Sequence, residues 1–220
     1  YEDNHIIIVN KPPKIPVQGD ITGDTTLIDI FKEYLKKTYN KPGEAYLGLP
    51  HRIDRPVSGI VILTKTSKAL SRITKLFRDK TISKTYWAVV KNKLNNEKGE
   101  LIHYLKKNRK INKLFSSKKE QNGYLKSTLK YKIIKSLNNY HLYQIKLISG
   151  RHHQIRAQLS EVGSPIKGDI KYGDKRTNKN GSIHLHARSI EFIHPIKKIK
   201  IRVTSPPPDD VIWNLCINEE

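Results

Sequence analysis

Residues 51–59, HRIDRPVSG, place one carboxylate, Asp54, between the guanidinium groups of Arg52 and Arg55. Pro56 and Gly59 then break the chain before the apolar run Ile60-Val61-Ile62-Leu63, which is short, β-branched and bounded by turn residues, the pattern of a buried strand. The charged cluster therefore sits on a loop at the mouth of a rigid element, where site residues tend to collect. Neighbouring positive charge favours a charged carboxylate. Held there, Asp54 offers a nucleophile or a proton relay; its plain alternative is a surface Asp solvated in a basic loop.

Two further stretches carry side chains of complementary chemistry. KTYWAVV (84–90) puts Lys84 and Tyr86 at the head of another apolar strand, and SGRHHQIRAQLSEVGSPIKGDIKYG (149–173) carries Arg151, His153, Gln154 and Arg156 from a glycine turn into a helix. With DNHIIIVNKPPKIPVQ (3–18) and HLHARSIEFIHP (184–195), these stretches resemble the RluA-type family of RNA pseudouridine synthases, in the family's order and over nearly the whole chain.

That resemblance implies a cofactor-free, metal-free isomerisation: the uracil N1–ribose bond breaks, the base turns while held, and C5 bonds to the same ribose carbon. It assigns Asp54 as the catalytic carboxylate, attacking ribose or base or shuttling a proton. Arg156 would pair with Asp54 in a dry pocket, and Tyr86 would stack on the uracil with its oxygen near the C5 proton. Arg52 would fill the space left by the flipped base, since a guanidinium both stacks on bases and bonds phosphates. His51, Arg55, Lys84, Arg151, His153 and Gln154 would line the same cleft against RNA backbone or base edge. The chain departs from the family at His152, usually a small hydroxyl residue, and at Pro56, usually acidic.

Two other classes compete. A catalytically silent RNA-binding module of the same fold would be marked by loss of the Asp, Tyr or Arg, and all three are present. A nuclease using Asp54 and histidines would need a second carboxylate poised for a metal, and none lies near Asp54 in sequence. His184 and His186 share one side of a strand but lack a third clear ligand, so the reading is no metal.

The composition agrees with a polyanionic partner. The chain of 220 residues has a formal net charge of +22 and a pI near 9.9, which points to nucleic acid first and an anionic membrane surface second. The excess is mostly lysine, and abundant Lys, Asn and Ile also suit an A/T-rich genome. The single cysteine, Cys216, rules out an internal disulfide and a cysteine-based zinc cluster, and fits a reducing compartment. No apolar run is long enough to span a bilayer. The resulting expectation is a cytoplasmic monomer acting on structured rRNA or tRNA, with no obligate protein partner. Because the chain opens at Tyr1 and holds no Met, its natural N-terminus is expected to be missing or processed, which leaves open an upstream RNA-binding domain trimmed from it.

The elements that must position these residues are legible as hydrophobic patterns. Strands are expected at 6–9, 60–63, 86–91, 131–134, 142–148 and 183–192, and helices at 27–35 (capped by Asp24 or Thr25), 67–79 and from Gly150 to Gly163. Gly19–Asp24 reads as a polar turn and Asn40–Pro50 as a loop. The expected class is α+β: the pseudouridine synthase fold, a mixed, mainly antiparallel sheet with flanking helices and a central RNA-binding cleft. Residues 1–220 read as a single catalytic domain with a basic insertion or arm at about 92–123, either a mobile solvated hairpin or a grip for phosphates. Pro206-Pro207-Pro208 marks the expected end of the packed fold.

Overall fold

The computed structural model describes residues 1–19, 21–40 and 42–217; Asp20 and Lys41, within the expected turn and loop, lie outside the described residues. Contacts divide the chain, expected as a single domain, into two compact units, residues 1–83 with 187–206, and residues 84–186 with 207–220.

The first unit is built on β1 (Ile6–Lys11) and β2 (Ser58–Thr64), antiparallel from Ile6 opposite Thr64 to Lys11 opposite Gly59. Every residue of β2 is buried, as a continuous apolar run requires. Gly59 has φ +111°, and a Cβ there would come within 2.4 Å of the Ala187 carbonyl, so only glycine lets the chain pass. Helix α1 (Leu27–Thr38) starts at Thr26 rather than at Asp24 or Thr25. Thr26 Oγ1 accepts from the Asp29 N–H at 3.1 Å while Asp29 accepts from the Thr26 N–H at 3.0 Å. This capping box satisfies two donors at once, which a candidate without an acid three residues on cannot do. Helix α2 (Ser67–Arg78) buries Ala69 and Ile73. Most of β8 (Leu185–Ile193) belongs here, paired antiparallel with β9 (Lys200–Thr204), a strand the sequence pattern did not reveal.

The second unit is a five-stranded meander-like sheet in the order β3-β7-β6-β4-β5, antiparallel at every step. Its strands are β3 (Ser83–Val90), β4 (Lys98–Asn108), β5 (Lys113–Ser117), β6 (Leu125–Ser136) and β7 (His141–Leu147). The stretch at 92–123 is therefore an ordered hairpin. Leu114 of β5 packs with Leu105, Ala157 of α3 (Gln154–Glu161) and Tyr172, and this anchorage replaces the mobile arm. Helix α3 lies over the face carrying Leu101, His103, Ser127 and Leu129: its Gln158 amide donates to the carbonyls of Leu101 (3.0 Å) and Ser127 (3.1 Å).

The packed fold does not end at the triple proline. Helix α4 (Val211–Ile217) follows, and Trp213 and Cys216 bury themselves against Val89 and Leu142. Asp210 caps the helix through the Trp213 N–H at 2.9 Å, and His184 stacks on the Trp213 ring at 5.3 Å. One seven-residue helix is too short to show periodicity, so only the buried indole signals it. Both units combine helices with antiparallel strands, the α+β class.

Candidate active site

In the first unit, the Asp54 loop is held by bonds that its sequence does not advertise. Lys11, the last residue of β1, is 0% exposed, and its ammonium donates to the carbonyls of Pro12 (2.9 Å), Ile15 (3.0 Å) and Arg55 (3.1 Å). Three acceptors match the three donors of an ammonium. Burial pulls the Lys11 pKa down to about 7; the negative charge of Asp54 opposes that fall and Arg55 adds to it. The Lys14 N–H also donates to the Arg55 carbonyl at 2.9 Å, and the Val57 N–H to that of Asp54 at 3.0 Å. The loop carrying Asp54 is thus bolted to the segment after β1. Lys11 lies within a stretch that carries the family resemblance, but a lysine reads as exposed until its burial is seen.

The neighbours of Asp54 divide. Arg52 is exposed, as a side chain that meets RNA must be. His51 turns inward: its Nε2 accepts from the Ile62 N–H at 2.8 Å and its ring lies 4.5 Å from that of Phe77. This pins the loop to β2 through one ring nitrogen of His51, which the sequence placed along the cleft against RNA backbone or base edge. Arg55 donates to Thr22 at 3.0 Å and pairs with Asp24, which Thr22 and the guanidinium hold below the usual carboxylate range.

In the second unit, Arg156 is 4% exposed on α3 and Asp169 is 1% exposed. Arg156 Nε donates to Asp169 Oδ2 at 2.7 Å and its Nη2 to Oδ1 at 2.8 Å, a two-pronged pair that fixes the plane of the guanidinium. The Arg156 guanidinium also lies 4.9 Å from the centre of the Tyr172 ring. Sequence reasoning missed Asp169 as a site residue; its signal is a lone acid between Gly168 and Ile170, in the same stretch as Arg156. Gly168 has φ +87°, and a Cβ there would come within 2.6 Å of Asn178 Nδ2, so the turn that aims Asp169 needs glycine.

His153 caps α3 in the left-handed conformation (φ 54°), buried, with its ring stacked on His152 at 3.7 Å. Burial, then Arg156, pushes its pKa down to about 2, so it is neutral. The Tyr172 hydroxyl accepts from the Leu114 N–H at 2.8 Å and lies 3.0 Å from His153 Nδ1. A neutral Nδ1 can accept from the Tyr172 hydroxyl and complete that chain.

Gln154, expected along the cleft against RNA, is bonded on both ends of its amide within the protein. Its Oε1 accepts from Ser149 Oγ (2.9 Å) and the Arg151 N–H (3.0 Å), while its Nε2 donates to the Thr128 carbonyl (3.1 Å) and Gln158 (2.9 Å). All four amide positions are occupied by protein. Arg151 is exposed at the head of the helix. Lys84 has its pKa lowered by burial, with Nζ close enough to Gly150 that a Cβ there would approach it to 3.0 Å. Tyr86 is half-buried on β3 opposite Ile145 of β7.

Residues 5–161, which include Asp54, Tyr86 and Arg156, match the family model described as RNA pseudouridylate synthase. The chain is 32% identical over 212 residues to the ribosomal large subunit pseudouridine synthase C of Vibrio cholerae serotype O1, covering 94% of this chain and 64% of that protein. It is 26% identical over 214 residues to the uncharacterized RNA pseudouridine synthase YlyB of Bacillus subtilis, covering 96% and 69%. The chain thus spans a little under two thirds of the Vibrio relative's length. Among solved structures, human RNA pseudouridylate synthase domain containing 4 superposes with a TM-score of 0.80 at 21% identity, covering 98% of this chain and 90% of that one. Human RNA pseudouridylate synthase domain containing 1 gives 0.75 at 20% identity, covering 98% and 85%. These two likenesses show a shared fold.

Proposed function

Since the chain belongs to the RNA pseudouridylate synthase family, we propose that it isomerises specific uridines of structured RNA to pseudouridine, with large-subunit ribosomal RNA as the substrate. The observation that carries this reading is the position of Asp54, Tyr86 and Arg156, all inside the matched stretch. The substrate class follows the name of the Vibrio relative.

Asp54 is the catalytic carboxylate. The glycosidic bond from ribose C1′ to uracil N1 breaks, the base turns, C1′ bonds to C5, and the proton on C5 leaves while N1 gains one. Atoms and charge balance within one nucleotide, so the reaction consumes no co-substrate. Arg156, its plane set by Asp169, supplies a fixed positive charge to the reaction, the kind of preorganised charge that holds a carboxylate ionised. Tyr86 supplies a flat face for the uracil and an oxygen toward the C5 proton. Arg52, exposed beside Asp54, stacks where the flipped base had been, and Arg55, Lys84 and Arg151 each hold RNA backbone. On this proposal the protein lies in the cytoplasm, where ribosomal RNA is modified, and is a monomer. No helix among the described residues is long and apolar enough to cross a membrane.

The deciding experiment maps pseudouridine across total RNA from cells with and without this protein. Loss at one or a few uridines of large-subunit RNA, restored by the wild-type gene, is the expected result. An unchanged map, with RNA binding intact, would leave the silent binding module standing in its place.

A further inference from the structure

The sheet of the second unit has two faces, and only one is used by the chemistry proposed above. Tyr86, Ile145 and Tyr131 lie in register on the face that α3 covers. The residues that alternate with them point the other way. In register across that opposite face stand Lys98 and Glu100 of β4, Lys130 and Lys132 of β6, and Gln144 and Lys146 of β7. Helix α4 covers the Val89–Leu142 end of the same face and leaves this end open. The six side chains line a depression of about 580 Å³, and all four lysines are exposed.

The register is what makes this more than scattered charge. Lys98 stands directly opposite Lys132, and Lys130 directly opposite Lys146. Directly opposed side chains on neighbouring antiparallel strands have Cβ atoms only about 5 Å apart, and like charges there destabilise the sheet. Folding therefore works against both pairs, and Glu100, opposite Lys130, is the one carboxylate among the six. Bringing a polyanion over the ladder removes the repulsion and releases counterions from the anion, so the same arrangement that costs stability alone favours binding.

We propose that this lysine ladder is a second RNA-binding surface, gripping phosphates of the substrate's backbone on the face of the sheet turned away from Tyr86. It rests on the RNA-modifying reading for the identity of the polyanion. The surface reads no sequence; it adds affinity and register for RNAs long enough to wrap the sheet edge.

The test compares two quadruple variants. The first carries Lys98→Gln, Lys130→Gln, Lys132→Gln and Lys146→Gln; the second, a charge-matched control, carries Lys36→Gln, Lys37→Gln, Lys68→Gln and Lys75→Gln on exposed helix positions. Binding to a transcribed large-subunit RNA fragment and to a short RNA duplex is measured across a salt series. In the ladder variant the log–log salt slope for the long fragment should become shallower by about 2 to 3, at roughly 0.7–0.9 for each phosphate no longer neutralised. Its KM for that fragment should rise about tenfold or more with kcat retained at saturation. Its thermal midpoint should hold or rise, because the like-charge pairs are gone, which separates weakened binding from failed folding. Equal slopes and KM in wild type and ladder variant overturn the proposal, as does an equal loss in the control variant, which would mean diffuse charge alone. Loss of binding to phosphatidylserine vesicles with RNA binding unaltered would overturn it in favour of a membrane surface. Binding is scored without turnover, so absence of pseudouridine formation would count against the enzyme reading and leave the ladder to be judged on its slope.

Discussion

Arg156 and Asp169 form a buried two-pronged ion pair, at 2.7 and 2.8 Å, between the first turns of α3 and the turn that follows Gly168. Neither group can leave for solvent, so the plane of the guanidinium is set before any substrate binds. Removing one partner of such a pair costs about 3–5 kcal/mol, whereas replacing both by apolar groups of similar volume is close to neutral. Asp169→Asn should therefore lower urea-unfolding stability by that amount. The double variant Arg156→Met with Asp169→Leu should regain most of the stability and still form no pseudouridine. A double variant that recovers both would remove Arg156 from the chemistry.

Asp54→Asn changes one oxygen to an amide and deletes the charge. Pseudouridine formation should fall below detection while RNA affinity stays within about threefold of wild type, a difference well under 1 kcal/mol. Turnover near the wild-type rate, followed by release of tritium from C5 of labelled uridine, would exclude Asp54 as the acting carboxylate.

Lys11 links the Asp54 loop to pH. An unfolded lysine titrates near 10.5 and the folded one at about 7. Between those values the unfolded chain holds a proton that the native chain lacks, so stability rises with pH across that window and levels off above it. Below pH 7 both states are protonated and the buried ammonium's cost is fully felt. Lys11→Met should flatten the climb when chemical denaturation of the two proteins is compared from pH 6 to 10. Parallel curves would mean that Lys11 titrates like a solvated lysine.

The Tyr172 hydroxyl joins β5 to the cap of α3 through Leu114 and His153. Tyr172→Phe strands a buried N–H and a buried ring nitrogen, at about 1–3 kcal/mol each. We expect a loss of about 2–6 kcal/mol and faster hydrogen exchange at the Leu114 amide in particular. Unaltered protection there would show that the apolar packing of Leu114 suffices.

Trp213→Ala tests whether α4 belongs to the fold. The indole is 2% exposed against Val89 and Leu142, so the substitution should cost about 3–5 kcal/mol in a denaturant titration. A cost below about 1 kcal/mol would return the end of the fold to the triple proline.

The sequence by itself determined the elements whose apolar residues recur at one period: β1, β2, α1, α2, β7 and α3 were all legible from burial patterns that each segment carries alone. It also nominated the side chains proposed for the chemistry, because Asp54, Tyr86 and Arg156 sit in stretches whose residue order resembles a known family. Strands β4 and β5 escaped because their alternation is masked by lysines that point outward on an open face, and β9 and α4 because each is short. What only the tertiary structure decided is who holds whom. Lys11 and Asp169 each depend on a partner distant in the chain, the Arg55 carbonyl, 44 residues on, in one case and a guanidinium thirteen residues back in the other. Burial of a charge is a property of the neighbours that surround it, and no local pattern of residues records that.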